Sequence, residues 1–221
     1  TQAGTLPPTA TRPAPSATAT TPPIPMPSAT PGSPNPTQRP TARPSAMPPI
    51  ADRLRLTAVA DAYVSAKDPG KNFGGDPSLK VADNAQILSY LRFNVPDTVA
   101  GHKIQRAILR LYVDKASGNG FTIRRVSGSA WSEKEITFSS APKPGDALGA
   151  SPSRLSTGRW VTIDVTSLVG GPGSYSLALI ARHNSSATFS SRETGNHAPT
   201  LTLSFGNPPG GGDDHNGGGD D

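Results

Sequence analysis

The central part of this 221-residue chain predicts an all-β fold, an antiparallel β-sandwich of jelly-roll type. Short segments alternate apolar and polar residues with the period of two that half-buried strands require. Turn-forming Gly, Asn, Pro and Ser separate nearly all of them, as at Ser117–Gly120 and Gly170–Gly173. No segment sustains the apolar periodicity of a helix over three turns, so strands with regular turns are the expected architecture.

Lys103–Val113 shows the alternation clearly. There Leu109 and Leu111 point to one side, while Arg110 and Tyr112 point to the other. One short helical turn is predicted at Asp164–Leu168. The predicted strands are Thr57–Val64, Ser78–Val81, Ser89–Val95, Lys103–Val113, Phe121–Val126, Trp160–Val165, Tyr175–Arg182, Ala187–Ser190 and Thr200–Phe205.

Composition divides the chain into three parts. The first 50 residues hold 15 of the 25 prolines and 10 threonines, with no acidic and no aromatic residue. Such a segment cannot bury enough apolar surface to fold, so residues 1–52 are predicted to form an extended stalk or linker. Residues 53–206 contain every Trp, Tyr and Phe and are long enough for one core. Residues 207–221 are rich in Gly and Asp and predict a flexible tail.

Charge follows the same division. The stalk carries +3, residues 51–205 carry +6, and the tail carries −4, which together give the net charge of +5. A moderately basic domain suits a polyanionic partner, although a solvated surface with no partner has the same composition. The arginines form no Lys/Arg cluster and accompany no RNA-binding motif, so nucleic acid is not the expected partner.

Several classes of protein are excluded or disfavoured. Without cysteine the chain has no disulfide framework, and without a run of 18 apolar residues it has no predicted membrane span. The four histidines lack metal-ligand spacing, and no nucleophile elbow, Walker loop or dinucleotide fingerprint is present, so we expect no enzyme. A Thr/Ser/Pro-rich stalk is typical of cell-surface spacers, which predicts a secreted or surface-exposed protein.

An ordered set of motifs spans about residues 57–205. The motifs are Ala60–Val64, Asn72–Gly74, Leu79–Val81, Tyr90–Phe93, Ala107–Leu111, Trp131–Phe138, Ala141-Pro142, Trp160, Asp164–Thr166, Phe189–Glu193 and Pro199–Leu203. In this order they resemble the DNRLRE domain, a secreted jelly-roll family that includes alginate-binding carbohydrate-binding modules. The resemblance implies a jelly-roll fold with a sugar-binding function.

Most of these motifs have a structural interpretation. Trp131, with the apolar residues that follow it, is expected to seal an edge of the sandwich. Arg192 is expected to form an ion pair with Glu193 or Asp164.

Five residues are candidates for ligand binding because they lie on the polar side of their strands. They are Arg92, Arg110, Arg124, Tyr90 and Tyr112. If these strands share a sheet, they form a basic face with aromatic neighbours. A guanidinium pairs bidentately with a carboxylate, and an exposed tyrosine stacks on a sugar ring, so such a face suits a uronate polymer. The alternative is that the arginines are scattered and their stems cover apolar surface.

No cofactor is expected to be required. Jelly-roll sugar modules often carry a structural Ca²⁺, and Asp61, Asn72 and Asp76 offer oxygen ligands for one. Their spacing matches no fixed calcium-binding loop, so this cation site is a hypothesis about three individual side chains.

Two functions remain open on the sequence. The first is a non-catalytic carbohydrate-binding module for an acidic polysaccharide, displayed on the stalk. The second is a structural subunit of an extracellular filament or surface layer, whose partners are other copies of itself and whose assembly uses the extended N-terminal segment.

Overall fold

A computed structural model describes residues 52–128 and 130–206. Apart from Asp52, the predicted stalk lies outside the described residues, and so does the predicted tail. Between these bounds the regular secondary structure is almost entirely β-strand, which confirms the predicted fold class. The described helices are short 3-10 turns, and none of them is long or apolar enough to cross a membrane.

Eleven strands follow one another along the described chain. In chain order they are β1 (Arg53–Thr57), β2 (Ala60–Ser65), β3 (Ser78–Ala82), β4 (Ile87–Val95), β5 (Ile104–Ser117), β6 (Phe121–Val126), β7 (Pro144–Ala150), β8 (Arg159–Asp164), β9 (Gly173–Ala181), β10 (Ser186–Ser190) and β11 (Thr200–Phe205). The 3-10 turns are Asp97–Val99, Thr166–Leu168 and Arg192–His197.

The predicted strands are present, with three differences. The segment Thr57–Val64 contains the end of β1 and most of β2, because the chain passes from one layer to the other at Ala58 and Val59. The sequence pattern predicted neither the start of β1 nor any part of β7. The expected helical turn is present as Thr166–Leu168.

All strand pairs are antiparallel, and the strands form two layers. In the first layer β5 pairs with β8 along one side and with β11 and β10 along the other, while β1 extends β11 and β3 extends β10. In the second layer the order is β2-β4-β9-β6-β7. The hairpin between β3 and β4 joins the layers through a single residue pair, Ala82 with Ile87.

The main core lies between the two layers. Alternation places Leu109 and Leu111 of β5 in it, together with Leu91 and Phe93 of β4, all with no exposed surface. The intervening residues of each strand therefore point away from the core, on opposite outer faces of the sandwich. This alternation decides which side chains can meet a ligand.

A second, smaller core covers the outer face of the second layer. Residues 131–142, which we call the covering loop, lie over β2, β4 and β9. Trp131 and Ile136 from this loop pack against Tyr90 and Ala178 of the sheet. The Trp131 indole donates to Ser176 Oγ at 3.1 Å. The expectation that Trp131 seals the sandwich is refined, because it seals a sheet face.

The covering loop is anchored to the segment before β3 at Gly74. The Asn72 side-chain amide donates to the carbonyl oxygens of Glu133 and Ile136, both at 2.8 Å. A Cβ at position 74 would lie 1.8 Å from the Glu133 carbonyl oxygen, so the two backbones meet where only glycine fits.

Gly74→Ala is therefore expected to lower the free energy of unfolding by about 1–3 kcal/mol, measured by chemical denaturation. Gly75→Ala is the matched control, because a Cβ there meets no atom within 4 Å. Equal stability of the two variants would contradict the close approach at Gly74.

Candidate functional site

The outer face of the first layer carries an open groove of about 460 Å³, and its charged residues are all arginines. Three strands form it: β11 in the middle, with β1 on one side and β5 on the other. It is lined by Arg53, Arg55, Arg106, Ile108, Arg110, Thr202 and Ser204, and we call it the arginine groove.

Strand register explains why the arginines share one face. In antiparallel pairs, residues opposite each other point to the same side of the sheet. Ser204 is the partner of both Arg53 and Arg106, and Thr202 is the partner of Arg55. β11 therefore places hydroxyl side chains between two rows of guanidinium groups, whose strands are about 10 Å apart.

The positive charge of the groove is mostly uncompensated. Among residues 52–128 and 130–206, the ion pair of Arg106 Nε with Asp164 Oδ2, at 3.2 Å, is the only one that the four arginines make. The hydroxyl and the amide of Thr166 donate to Asp164 and, with a smaller effect of Arg106, hold the pKa of its carboxyl below the ordinary value. Both members of the pair are more than half exposed, so the pair contributes little and leaves Arg106 accessible.

An aromatic cluster lies at one end of the groove. The Arg110 guanidinium lies 4.6 Å from the centre of the Trp160 ring. Tyr112 meets Trp160 edge-on at 5.4 Å, and His197 stacks on Tyr112 at 3.7 Å with nearly parallel rings. These mutual contacts hold the half-buried Trp160 in place and make the cluster a rigid platform beside the arginines.

The basic surface continues beyond Trp160. This residue also lines a second open pocket of about 270 Å³, together with Arg154 and Arg159. Trp160 therefore has Arg110 on the side of the arginine groove and lines a pocket with Arg154 and Arg159 at the β8 edge.

The structure divides the five predicted ligand residues between opposite faces of the sandwich. Arg110 and Tyr112, on β5, lie on the face of the arginine groove. Tyr90, Arg92 and Arg124, on β4 and β6, lie on the outer face of the second layer. The single basic face expected from the five residues together is therefore corrected, because their strands belong to different layers.

Two of the residues on the opposite face, Tyr90 and Arg92, contact the covering loop. Tyr90 is only 2% exposed, and its hydroxyl donates to the Pro142 carbonyl oxygen, so it has no ring face to offer a sugar. Burial also raises the pKa of this hydroxyl to about 12. Arg92 donates to the Trp131 carbonyl oxygen at 2.7 Å and lies over the Trp131 ring. Both residues hold the covering loop rather than a ligand.

Arg124 has a local partner at the edge of the second layer. Its Nη1 donates to the Gly145 carbonyl oxygen, at 2.8 Å, beside β7. It is separated from the arginine groove by the full thickness of the sandwich, which makes it a natural reference residue for tests of the groove.

The predicted cation site does not assemble as expected. Asn72 is engaged with the covering loop, and Asp76 binds Lys80, the Tyr63 hydroxyl and the Ser78 amide. Asp61 instead lies with Glu133 and Glu193, whose carboxylate oxygens come within 4.8 Å of one another. The ligand set of Asp61, Asn72 and Asp76 is therefore corrected.

The Asp61 cluster is an ion-pair network around Arg192. Arg192 Nη1 lies 3.1 Å from Glu133 Oε2 and 3.4 Å from Glu193 Oε1, and its backbone amide donates to Asp61 Oδ2 at 2.8 Å. The Asp61 amide in turn donates to Glu133 Oε1 at 2.8 Å. The pairing of Arg192 with Glu193 is confirmed, whereas Asp164 pairs with Arg106. The Arg192 guanidinium supplies positive charge to this group of carboxylates.

Sequence reasoning missed most of the groove. Arg53 and Arg55 lie in the alternation Arg-Leu-Arg-Leu just before the first predicted strand, and this pattern was a usable signal for β1. Arg106 has the same parity as Arg110 on β5, so it could also have been found. Trp160 was noted only as a motif residue, because its position beside Arg110 depends on the pairing of β5 with β8.

Comparison with known proteins assigns the sandwich to a family. No curated protein matches the chain. A family model, that of carbohydrate-binding module family 96, matches residues 53–205, which are the whole described sandwich apart from its first and last residues. The chain therefore belongs to carbohydrate-binding module family 96.

Proposed function

We propose that the sandwich is a non-catalytic module that binds an acidic, uronate-type polysaccharide in the arginine groove. The observation that carries the proposal is the row of Arg53, Arg55, Arg106 and Arg110 on one open face with no acidic residue among the residues that line it. Membership of a carbohydrate-binding family supports a sugar as the ligand.

The type of cation favours a carboxylate ligand. Arginine presents a planar fork that binds a carboxylate through two parallel hydrogen bonds, and it stays charged at every physiological pH. Clustered guanidinium groups repel one another when no anion is bound, so the groove gains most from a ligand that carries repeated negative charges. The hydroxyls of Thr202 and Ser204, between the arginine rows, suit the hydroxyls of a sugar.

The aromatic cluster supplies the apolar part of the recognition. A sugar ring has an apolar face, and Trp160 offers a fixed ring beside the pocket that contains Arg154 and Arg159. The groove and this pocket are both open concavities. That shape suits the internal stretch of a long polymer better than the end of a chain.

The direct test is retention of the full chain on immobilised pectate at low ionic strength. We expect strong retention that falls steeply as salt rises above about 0.1 M, because the groove and the ligand are both exposed to screening. Methyl-esterified pectin is the matched control, since it keeps the sugar and removes the charge. Equal retention on both polymers, or no retention on pectate, would contradict the proposal.

We further propose that the module is displayed outside the cell, with the Thr/Pro-rich N-terminal segment as its spacer. The filament alternative depends on residues 1–51, which lie outside the described residues, and no described contact favours it. Fractionation of the native source, with the protein located by antibody, tests the display; a cytoplasmic location would contradict it.

A further inference from the structure

The described part of the sandwich ends beside the arginine groove. β11 ends at Phe205, and its last outward-facing residue is Ser204, which lines the groove between Arg53 and Arg106. The amide of Gly206 donates to the Lys103 carbonyl oxygen at 3.1 Å. Gly206, the last described residue, is therefore two positions from the residue that lies between these two arginines.

The sequence of that segment is the electrostatic opposite of the groove. Residues 207–221 contain four aspartates and no lysine or arginine. The aspartates form two adjacent pairs, Asp213-Asp214 and Asp220-Asp221. Their side chains end in carboxylates, the same group that a uronate sugar presents, so the chemistry that recognises one also recognises the other.

The segment is long enough to reach every arginine of the groove. Asp213 is nine positions after Ser204, a span of up to about 30 Å in extended chain. The groove crosses three strands, or about 10 Å, and four residues along β5, or about 13 Å. A short tether of this kind gives an effective concentration in the millimolar range, which is enough to fill a weak carboxylate site.

We propose that residues 207–221 bind in the arginine groove of the same molecule and compete there with the acidic polysaccharide. The contact itself depends only on the groove and the aspartates, whereas the competition rests on the proposed function. Salt releases the segment because the attraction is between exposed charges.

The contact is tested by paramagnetic relaxation in the full chain. The protein has no cysteine, so Gly217→Cys gives one attachment point for a nitroxide label. At low ionic strength we expect the amide signals of Thr202, Ser204 and Arg106 to lose roughly half of their height, while Ala178 on the second layer keeps its own. The loss should disappear at about 0.5 M salt, where charges are screened within a few ångströms.

The matched control replaces all four aspartates by asparagine, which keeps the length of the segment and removes its charge. Unchanged signals in the labelled parent, or equal losses in the asparagine variant, would overturn the contact. A mixture of ¹⁵N-protein without label and labelled ¹⁴N-protein must show no loss. A loss there would assign the contact to neighbouring molecules and overturn the intramolecular claim.

The competition has its own readout. The asparagine variant is expected to bind pectate oligomers about twofold to tenfold more tightly than the parent at low salt. Equal affinities, with the relaxation effect present, would overturn the competition. If neither protein binds pectate, the proposed function fails, and so does the competition, while the relaxation experiment still decides the contact.

Discussion

Replacing Trp131 by alanine is expected to lower the free energy of unfolding by about 3–5 kcal/mol, the usual cost of emptying a site filled by a buried aromatic ring. Trp131 is 8% exposed, and its indole packs on Tyr90 with ring centres 6.1 Å apart. The substitution also leaves the buried Ser176 hydroxyl without its donor and removes the ring under the Arg92 guanidinium. Chemical denaturation of both proteins measures the effect.

Trp160→Ala is the matched control, because Trp160 is half-buried on the opposite face. We expect it to cost much less stability and to weaken pectate binding, whereas Trp131→Ala should leave the groove intact below its unfolding transition. A larger stability loss at Trp160 than at Trp131 would contradict the role given to the covering loop.

Substituting Asp61 by asparagine is expected to change how stability depends on pH, by up to about 4 kcal/mol. Asp61 is 1% exposed, and burial raises the pKa of its carboxyl from 3.8 to about 7. The amide of Arg192 opposes this shift, and so does its guanidinium, while the carboxylates of Glu133 and Glu193 add to it. In the unfolded chain the carboxyl titrates near its ordinary value.

The sign of the dependence follows from these two pKa values. Below about pH 4 Asp61 is protonated in both states and costs nothing. Between about pH 4 and pH 7 the unfolded chain loses the proton and the folded protein keeps it, so stability falls as pH rises. Above about pH 7 the fall is complete.

Asp61→Asn removes this loss and keeps an acceptor for the Arg192 amide. Denaturation at pH 4 and pH 8 should therefore show a gain for the variant only at pH 8. Asp164→Asn is the control, because Asp164 is an exposed carboxyl with a lowered pKa. Its stability should fall between pH 4 and pH 8 as that of the parent does. If the stability of Asp61→Asn fell between pH 4 and pH 8 as much as that of the parent, the assignment of this fall to Asp61 would be contradicted.

The strand pattern was predictable because alternation is a local property. The parity of Leu109 and Arg110 follows from their neighbours in sequence, and both lie as expected. Parity says which side of its strand a residue occupies, however, and not which layer the strand joins. Arg92 and Arg110 have equivalent parities on β4 and β5, yet they point away from each other on opposite faces.

Contacts between distant segments account for the remaining differences. Tyr90 lies on the side of its strand that points away from the main core, where an exposed residue is expected. It is buried because the covering loop packs on it, with Pro142 lying 52 positions later in the chain. Asp61 meets Glu133 and Arg192, which are 72 and 131 positions away. Strand β7 contains Pro and two Gly and gave no strand signal, so its place at the edge is set by pairing with β6.

The affinity of groove variants for pectate oligomers tests the central claim most directly. Isothermal titration of the parent, the double variant Arg55→Ala/Arg110→Ala, and Arg124→Ala separates the arginine groove from the opposite face. We expect the double variant to bind at least about tenfold more weakly, since each lost guanidinium removes a charge-assisted contact. Arg124→Ala should bind like the parent. An unchanged affinity in the double variant, or an equal loss in Arg124→Ala, would contradict the arginine groove as the binding site.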